Sequence, residues 1–221
     1  MPQTEPQVLL TIIVVILLSL SIHEYAHAKL GDLAGDPTPR IYGRVTLNPI
    51  AHLDPAGTVM ILLTVFSGFG IGWGKPVPLN PTRMKNPRWD HFVAVLGGPM
   101  SNLFLAALSA LILRFLTLSS DGAAAVPEVL GVFLKAMVLI NLTLCFFNLI
   151  PLGPLDGHWI VGTFLPEQAR VKWLTWNRQV GGFVLLLVVF GGQLIPEINL
   201  IGKILRPAVS ALYQFFTGLT I

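Results

Sequence analysis

Apolar residues in this chain fall in long runs rather than at alternating or one-faced helical spacing, over about residues 8–30, 53–73, 91–116, 128–149, 180–196 and 198–218. An α-helix rises about 1.5 Å per residue and the bilayer core is about 30 Å thick, so a span needs roughly 20 such residues. The pattern predicts an all-α, polytopic membrane helix bundle. No repeat or polar linker divides it, so a single transmembrane domain over 1–221 is expected. The fifth run is short. The sixth carries Lys203, Arg206 and Pro207, so either a tilted span or an interfacial helix fits it.

The second run ends in alternating glycines, Gly68, Gly70, Gly72 and Gly74, followed by "KPVPLNP", which cannot continue a helix. If this run crossed, Lys29, Arg40 and Arg44 would lie on the opposite side from Lys75, Arg83, Lys85 and Arg88. That arrangement conflicts with the clustering of basic residues on one side of a membrane. A re-entrant segment brings all seven together with Arg170, Lys172 and Arg178, and is the expectation. It puts the N-terminus outside and the first span descending to the cytoplasm, with 91–116 rising and 128–149 descending. Between the first two runs, "RIYGRVTLNPI" has strand-like residues bounded by Gly and Pro, which predicts a short membrane-associated β element.

Composition agrees with the runs: 53% of residues are hydrophobic, 11% are charged, and the mean hydropathy is +0.72, as for an integral, multi-pass membrane protein in contact with the lipid bilayer. The formal charge of +3 is too small an excess for a nucleic-acid partner, and topology accounts for the basic residues. One cysteine, Cys145, permits no intramolecular disulfide. The leading "MPQTEPQ" has no Lys or Arg, so the first run reads as a retained span rather than a cleaved signal peptide.

One interruption changes the picture. "SIHEYAHAKL", late in the first run, puts His23, Glu24 and His27 where lipid is expected. Histidines four apart project from one helix face and can share a metal, with Glu24 beside an open coordination position. Five His and five Glu placed at random would give this H-E-x-x-H pattern only about 0.3% of the time. Interhelical hydrogen bonding is the bland alternative, but three such groups near the membrane interior carry an insertion cost that a bound Zn²⁺ offsets. A catalytic zinc normally takes a third protein ligand. Asp156, His158, His52, Asp54, Asp90 and His91 are the candidates. Asp156, in "NLIPLGPLDGHW", fits best, because topology returns it to the side of His23 and His27 and because Pro151, Pro154 and Gly157 impose an irregular backbone there. His52 with Asp54, and Asp90 with His91, read as helix caps.

"HEYAH" in a membrane helix, with "NLIPLGPLDG" about 120 residues later and "GGPMSN" opening the span between them, resembles the site-2 protease family of intramembrane zinc metalloproteases. The resemblance covers about residues 8–165. It implies one Zn²⁺ per chain held by His23, His27 and Asp156, Glu24 as general base, and Asn148 as a polar group on the substrate or developing oxyanion. It also implies transmembrane proteins as substrates, cut within or near their spans; the charge pattern puts the site toward the cytoplasm, and the plasma membrane is the expected location. The sequence looks like a minimal version, without the inserted peptide-binding domain or the appended regulatory domain of many relatives. Segment 40–48 is expected to offer a strand edge to an unwound substrate. "GGPMSN" is expected to serve close helix packing, with Asn102 bonding across helices. A metal transporter and an inactive zinc scaffold are the rival functions, and no oligomeric state is predicted.

Overall fold

The computed structural model describes residues 6–119 and 126–220; the first residues of "MPQTEPQ" lie outside the described part. Helix α1 (Pro6–Leu33) is followed by the short α2 (Thr38–Ile41), α3 (Pro55–Ser67), α4 (Trp89–Ser119) and α5 (Glu128–Asn148). Then come α6 (Gly157–Phe164), α7 (Glu167–Trp176), a π-helical turn at Asn177–Gly181, α8 (Gly182–Leu194) and α9 (Leu200–Thr217). Among the described residues, four stretches are long and apolar enough to cross a membrane: Pro6–Leu33, Trp89–Leu118, Glu128–Asn148 and Glu167–Leu194. The chain is an integral membrane protein of the all-α class.

The core is a three-helix bundle of α1, α4 and α5, with α9 laid along α4 and α5. Ala106, Ala110, Val138 and Leu142 meet Val209 and Tyr213 there, small residues on α4 letting α9 approach closely. Lys203 and Arg206 stay exposed on the other face of α9. The fifth run is longer than its apolar part indicates, because α7, the π turn and α8 form one continuous helical stretch that begins at Glu167.

Helix α3 is too short to count among the spanning helices. Asp54 caps its first turn by accepting from the Gly57 amide at 2.8 Å, and Gly68, at φ 70°, ends it in the left-handed region that favours glycine. Its 13 residues give about 20 Å of helix, short of the roughly 30 Å core. The chain then returns extended, and Gly74 forms an antiparallel bridge with Leu53 while the Lys75 amide donates to the His52 carbonyl at 2.8 Å. Both ends of the segment therefore lie together, as a re-entrant hairpin requires. The tip is tied to the end of α8 by a reciprocal amide pair: Gly70 donates to Gln193 Oε1 and Gln193 Nε2 donates back to the Gly70 carbonyl.

The strand expected over 40–48 does not form. Pro37 and Pro39 start α2 instead, and Gly43, at φ 66°, turns the chain so that the Arg44 amide donates back to the Pro39 carbonyl. The Arg44 guanidinium donates to the Ala51 carbonyl and the buried His52 ring to Thr46, so the loop is fastened to itself. Segment 40–48 therefore presents no strand. Among the described residues, the Leu53–Gly74 bridge is the strand-like pairing seen.

Candidate active site

His23, Glu24 and His27 lie about two-thirds of the way along α1, where it packs against α4 and α5, and all three are buried. Asp156 comes from the irregular turn after α5, one residue before α6. Its Oδ2 stands 3.3 Å from His23 Nε2 and 3.3 Å from His27 Nε2, and the two imidazole nitrogens are 3.0 Å apart. Three atoms from opposite ends of the sequence thus converge on one point. His158, His52, Asp54, Asp90 and His91 are outside this ligand group. His158 is buried, donates from Nδ1 to the Leu155 carbonyl, and is pushed down in pKa by its burial, as suits a neutral structural histidine. His91 packs edge-on against Trp159, Asp54 caps α3, and His52 closes the 44–52 loop.

The histidine tautomers follow from their other ring nitrogens. His27 Nδ1 lies 2.9 Å from the Ala94 carbonyl, which can only accept, so this nitrogen carries the hydrogen. His23 Nδ1 lies 2.6 Å from Asn102 Oδ1. Asn102 is oriented in turn, because its Nδ2 donates to Asn141 Oδ1 at 2.8 Å and Asn141 Nδ2 donates to Ser19 Oγ at 2.8 Å. In neutral rings both Nε2 atoms therefore present lone pairs to each other and to a carboxylate. Only a cation or added protons can sit stably among them. Asp156 Oδ2 is buried without a hydrogen-bond partner. Burial pushes the Asp156 carboxyl up, and when His27 and His23 carry added protons their charge outweighs that and holds it below the usual carboxylate range.

The spacing fits a zinc-sized ion. Ligand atoms at about 2.05 Å from a tetrahedral zinc are separated by about 3.3 Å, and the observed edges are 3.0, 3.3 and 3.3 Å. Two imidazoles and one carboxylate also make the common donor set of a zinc site that keeps a fourth position open. Gly98 of α4 makes room for the rings: a Cβ there would lie 2.3 Å from His27 Nε2 and 2.7 Å from His23 Cε1.

Glu24 faces the returning limb of the re-entrant hairpin, where a Cβ on Gly74 would come within 3.4 Å of its Oε1. A cavity of about 270 Å³ opens between this limb, α5 and α8, lined by Leu20, Gly72, Trp73, Asn148, Leu155 and Leu185 among others. Asn148 therefore lines the neighbouring cleft and is not in the ligand group; its Nδ2 donates to the Leu144 carbonyl at 3.0 Å. The parts of Asn102, Asn141, Gly98 and the Ala94 carbonyl are set by tertiary contacts that no local pattern marks. Asn102 was expected to bond across helices, and it does, with a candidate metal ligand as its partner. The available signal was two amide side chains, Asn102 and Asn141, in the middle of apolar spans.

Buried between membrane helices, this arrangement defines an integral membrane protein with a candidate metal centre. Known proteins agree. The sequence profile of Peptidase family M50 matches residues 116–189. The chain is 37% identical over 180 residues to the Bacillus subtilis protein named "Putative zinc metalloprotease YwhC", covering 81% of this chain and 79% of that one. It is 29% identical over 184 residues to the Mycolicibacterium smegmatis protein named "Putative zinc metalloprotease Rip2", covering 83% of this chain and 66% of that one. No solved structure matches the chain with significance. The chain belongs to peptidase family M50, the site-2 protease family.

Proposed function

We propose that the chain is an intramembrane zinc endopeptidase, a single transmembrane domain that hydrolyses peptide bonds within or near the spans of other membrane proteins, as in regulated intramembrane proteolysis. The observation that carries the reading is the convergence of His23, His27 and Asp156 at 3.0–3.3 Å, with Glu24 one residue along the same helix. These three side chains hold one Zn²⁺ per chain. When bound, zinc supplies a Lewis acid that polarises a peptide carbonyl and brings the pKa of a water to about 7.

The protein's own residues do the rest. Glu24 accepts the proton of the attacking water and passes it to the leaving amine, one group serving as base and then acid. Buried beside the hairpin, it is shielded from bulk water that would weaken this exchange. Asn148 has a second amide hydrogen beyond the one given to Leu144, and from the cleft wall it donates to the developing oxyanion. The cleft is mostly apolar, which suits a peptide released from a lipid-exposed helix and locally unwound to expose its carbonyls.

Basic residues orient the molecule. The re-entrant geometry leaves Lys29, Arg40, Arg44, Lys75, Arg83, Lys85 and Arg88 on the side of the membrane to which Asp156 returns, and positive charge favours the cytoplasm. The site accordingly faces the cytoplasm, in the plasma membrane.

Chelation tests the metal directly. The purified chain in liposomes, stripped with 1,10-phenanthroline, is expected to lose cleavage of transmembrane peptides and regain it with one equivalent of Zn²⁺. Cleavage that survives complete stripping would rule zinc chemistry out. A finer test concerns Asn102. Asn102→Leu removes the acceptor that orients His23 and is expected to weaken Zn²⁺ binding about 10- to 100-fold, read by competition with a chromophoric chelator. Unchanged affinity would show that His23 needs no such partner.

A further inference from the structure

The turn carrying Asp156 is irregular, yet a metal ligand must be held to within a fraction of an ångström. Within the turn, the Leu155 amide donates to the Leu152 carbonyl at 2.9 Å and His158 Nδ1 donates to the Leu155 carbonyl, but these bonds are local and do not fix the turn against the helices. Two contacts from the α7–π–α8 stretch bracket the aspartate. Before it, the Gly153 amide donates to Asn177 Oδ1 at 2.7 Å. After it, Trp173 Nε1 donates to the His158 carbonyl at 2.8 Å. Asn177 is 2% exposed and is the first residue of the π turn. Its Nδ2 donates to the Trp173 carbonyl at 3.1 Å, so the two bracketing residues are also bonded to each other.

The fit at this junction depends on glycine. A Cβ on Gly153 would stand 2.9 Å from the Asn177 carbonyl oxygen, and one on Gly181 would stand 3.0 Å from the Gly153 amide nitrogen. The wide turn thus brings helix backbone against loop backbone, and π turns recur at functional sites for such reasons. An uninterrupted α-helix would advance its later residues by a different angle and lose the register between Asn177 and Gly181.

We propose that Asn177 is a positioning residue that, with Trp173, clamps the 153–158 turn and so fixes Asp156 as the third metal ligand. The inference rests on reading His23, His27 and Asp156 as a metal site. Its test is the affinity of the full-length purified chain for Zn²⁺ alone, with Co²⁺ absorption reporting ligand geometry. Asn177→Ala is expected to weaken Zn²⁺ binding about tenfold and to shift the Co²⁺ spectrum. Asn177→Asp keeps an acceptor for the Gly153 amide but loses the donor to the Trp173 carbonyl, and is expected to bind Zn²⁺ more tightly than Asn177→Ala while falling short of wild type.

A role confined to Asp156 has a sharper signature. In an Asp156→Ala background, adding Asn177→Ala should weaken Zn²⁺ binding no further, because the ligand it positions is already gone. Equal losses in both backgrounds, or wild-type affinity in Asn177→Ala, overturn the proposal. Trp173→Phe, which removes only the indole donor, is expected to weaken binding about threefold and carries the test if Asn177→Ala does not fold. Wild-type affinity in that variant counts against the clamp. A wild-type chain that binds no Zn²⁺ defeats the metal-site reading as well, whereas tight binding by Asn177→Ala defeats the clamp alone.

Discussion

Glu24→Gln in the purified chain is expected to end peptide cleavage while leaving bound zinc at about one per chain. Glutamine fills nearly the same volume but cannot accept a proton from water. Proton transfer of this kind contributes about 10²- to 10⁴-fold, and here one group is used twice, so the loss should lie at the upper end or beyond. Zinc is retained because Glu24 is not one of the three converging ligands. The fold is expected to tolerate the change, since it replaces a buried acid with a neutral amide among membrane helices. Metal analysis and cleavage of a panel of transmembrane peptides, on the same preparation, separate three functions. Loss of cleavage with zinc retained fits the peptidase. Metal flux that survives in Glu24→Gln, with no cleavage by wild type, identifies a transporter. Zinc with neither activity leaves a scaffold.

Much of this bundle was legible because its dominant signal, long apolar runs, is also its dominant energy. The helices at Pro6–Leu33, Trp89–Ser119 and Glu128–Asn148 fall where the runs do. Re-entry of 53–73 was legible from charge, since basic residues could share a side only if the segment turned back. Two elements were misread for a common reason. Around 40–48, β-branched and aromatic residues suggested a strand, but Pro37, Pro39 and Gly43 governed the backbone. At 167–181, polar residues masked a helix that continues through a π turn into α8, because hydropathy registers the side chains and not the hydrogen bonding of the main chain.

The site divided along similar lines. His23, Glu24 and His27 stood out because three polar groups within about one turn of an apolar run are improbable, and Asp156 because the expected topology returned it to their side. What orients the candidate ligands His23, His27 and Asp156 was not visible. Asn102 binds His23 across 79 positions and Asn141 reaches Ser19 across 122, and no local pattern encodes either distance. The "GGPMSN" segment shows how ambiguous such signals are. Small residues in a membrane helix do mean close packing, but here part of what packs against them is a pair of imidazoles rather than an apolar helix face.

Gly98→Ala is therefore expected to destroy the metal site while leaving the bundle folded, with Zn²⁺ affinity falling on the order of a hundredfold or more and cleavage lost. In an ordinary helix interior this substitution stabilises by about 0.8–1.0 kcal/mol. Here the new methyl would stand 2.3 Å from His27 Nε2, 2.4 Å from His27 Cε1 and 2.7 Å from His23 Cε1. The rings cannot swing aside freely, because His27 is tied to the Ala94 carbonyl and His23 to Asn102. The displaced atoms are Nε2 and Cε1 of one candidate ligand and Cε1 of the other. Gly97→Ala is the matched control. Its Cβ would meet the flexible end of Leu30, 2.3 Å away at Cδ1, which can rotate, so it is expected to perturb packing and to keep zinc. Thermal unfolding of the metal-free variants in detergent, set beside competition for Zn²⁺, distinguishes the two effects. If Gly98→Ala binds Zn²⁺ as tightly as wild type, the imidazoles do not lie against α4 when metal is bound, and the role assigned to Asn102 falls with that contact.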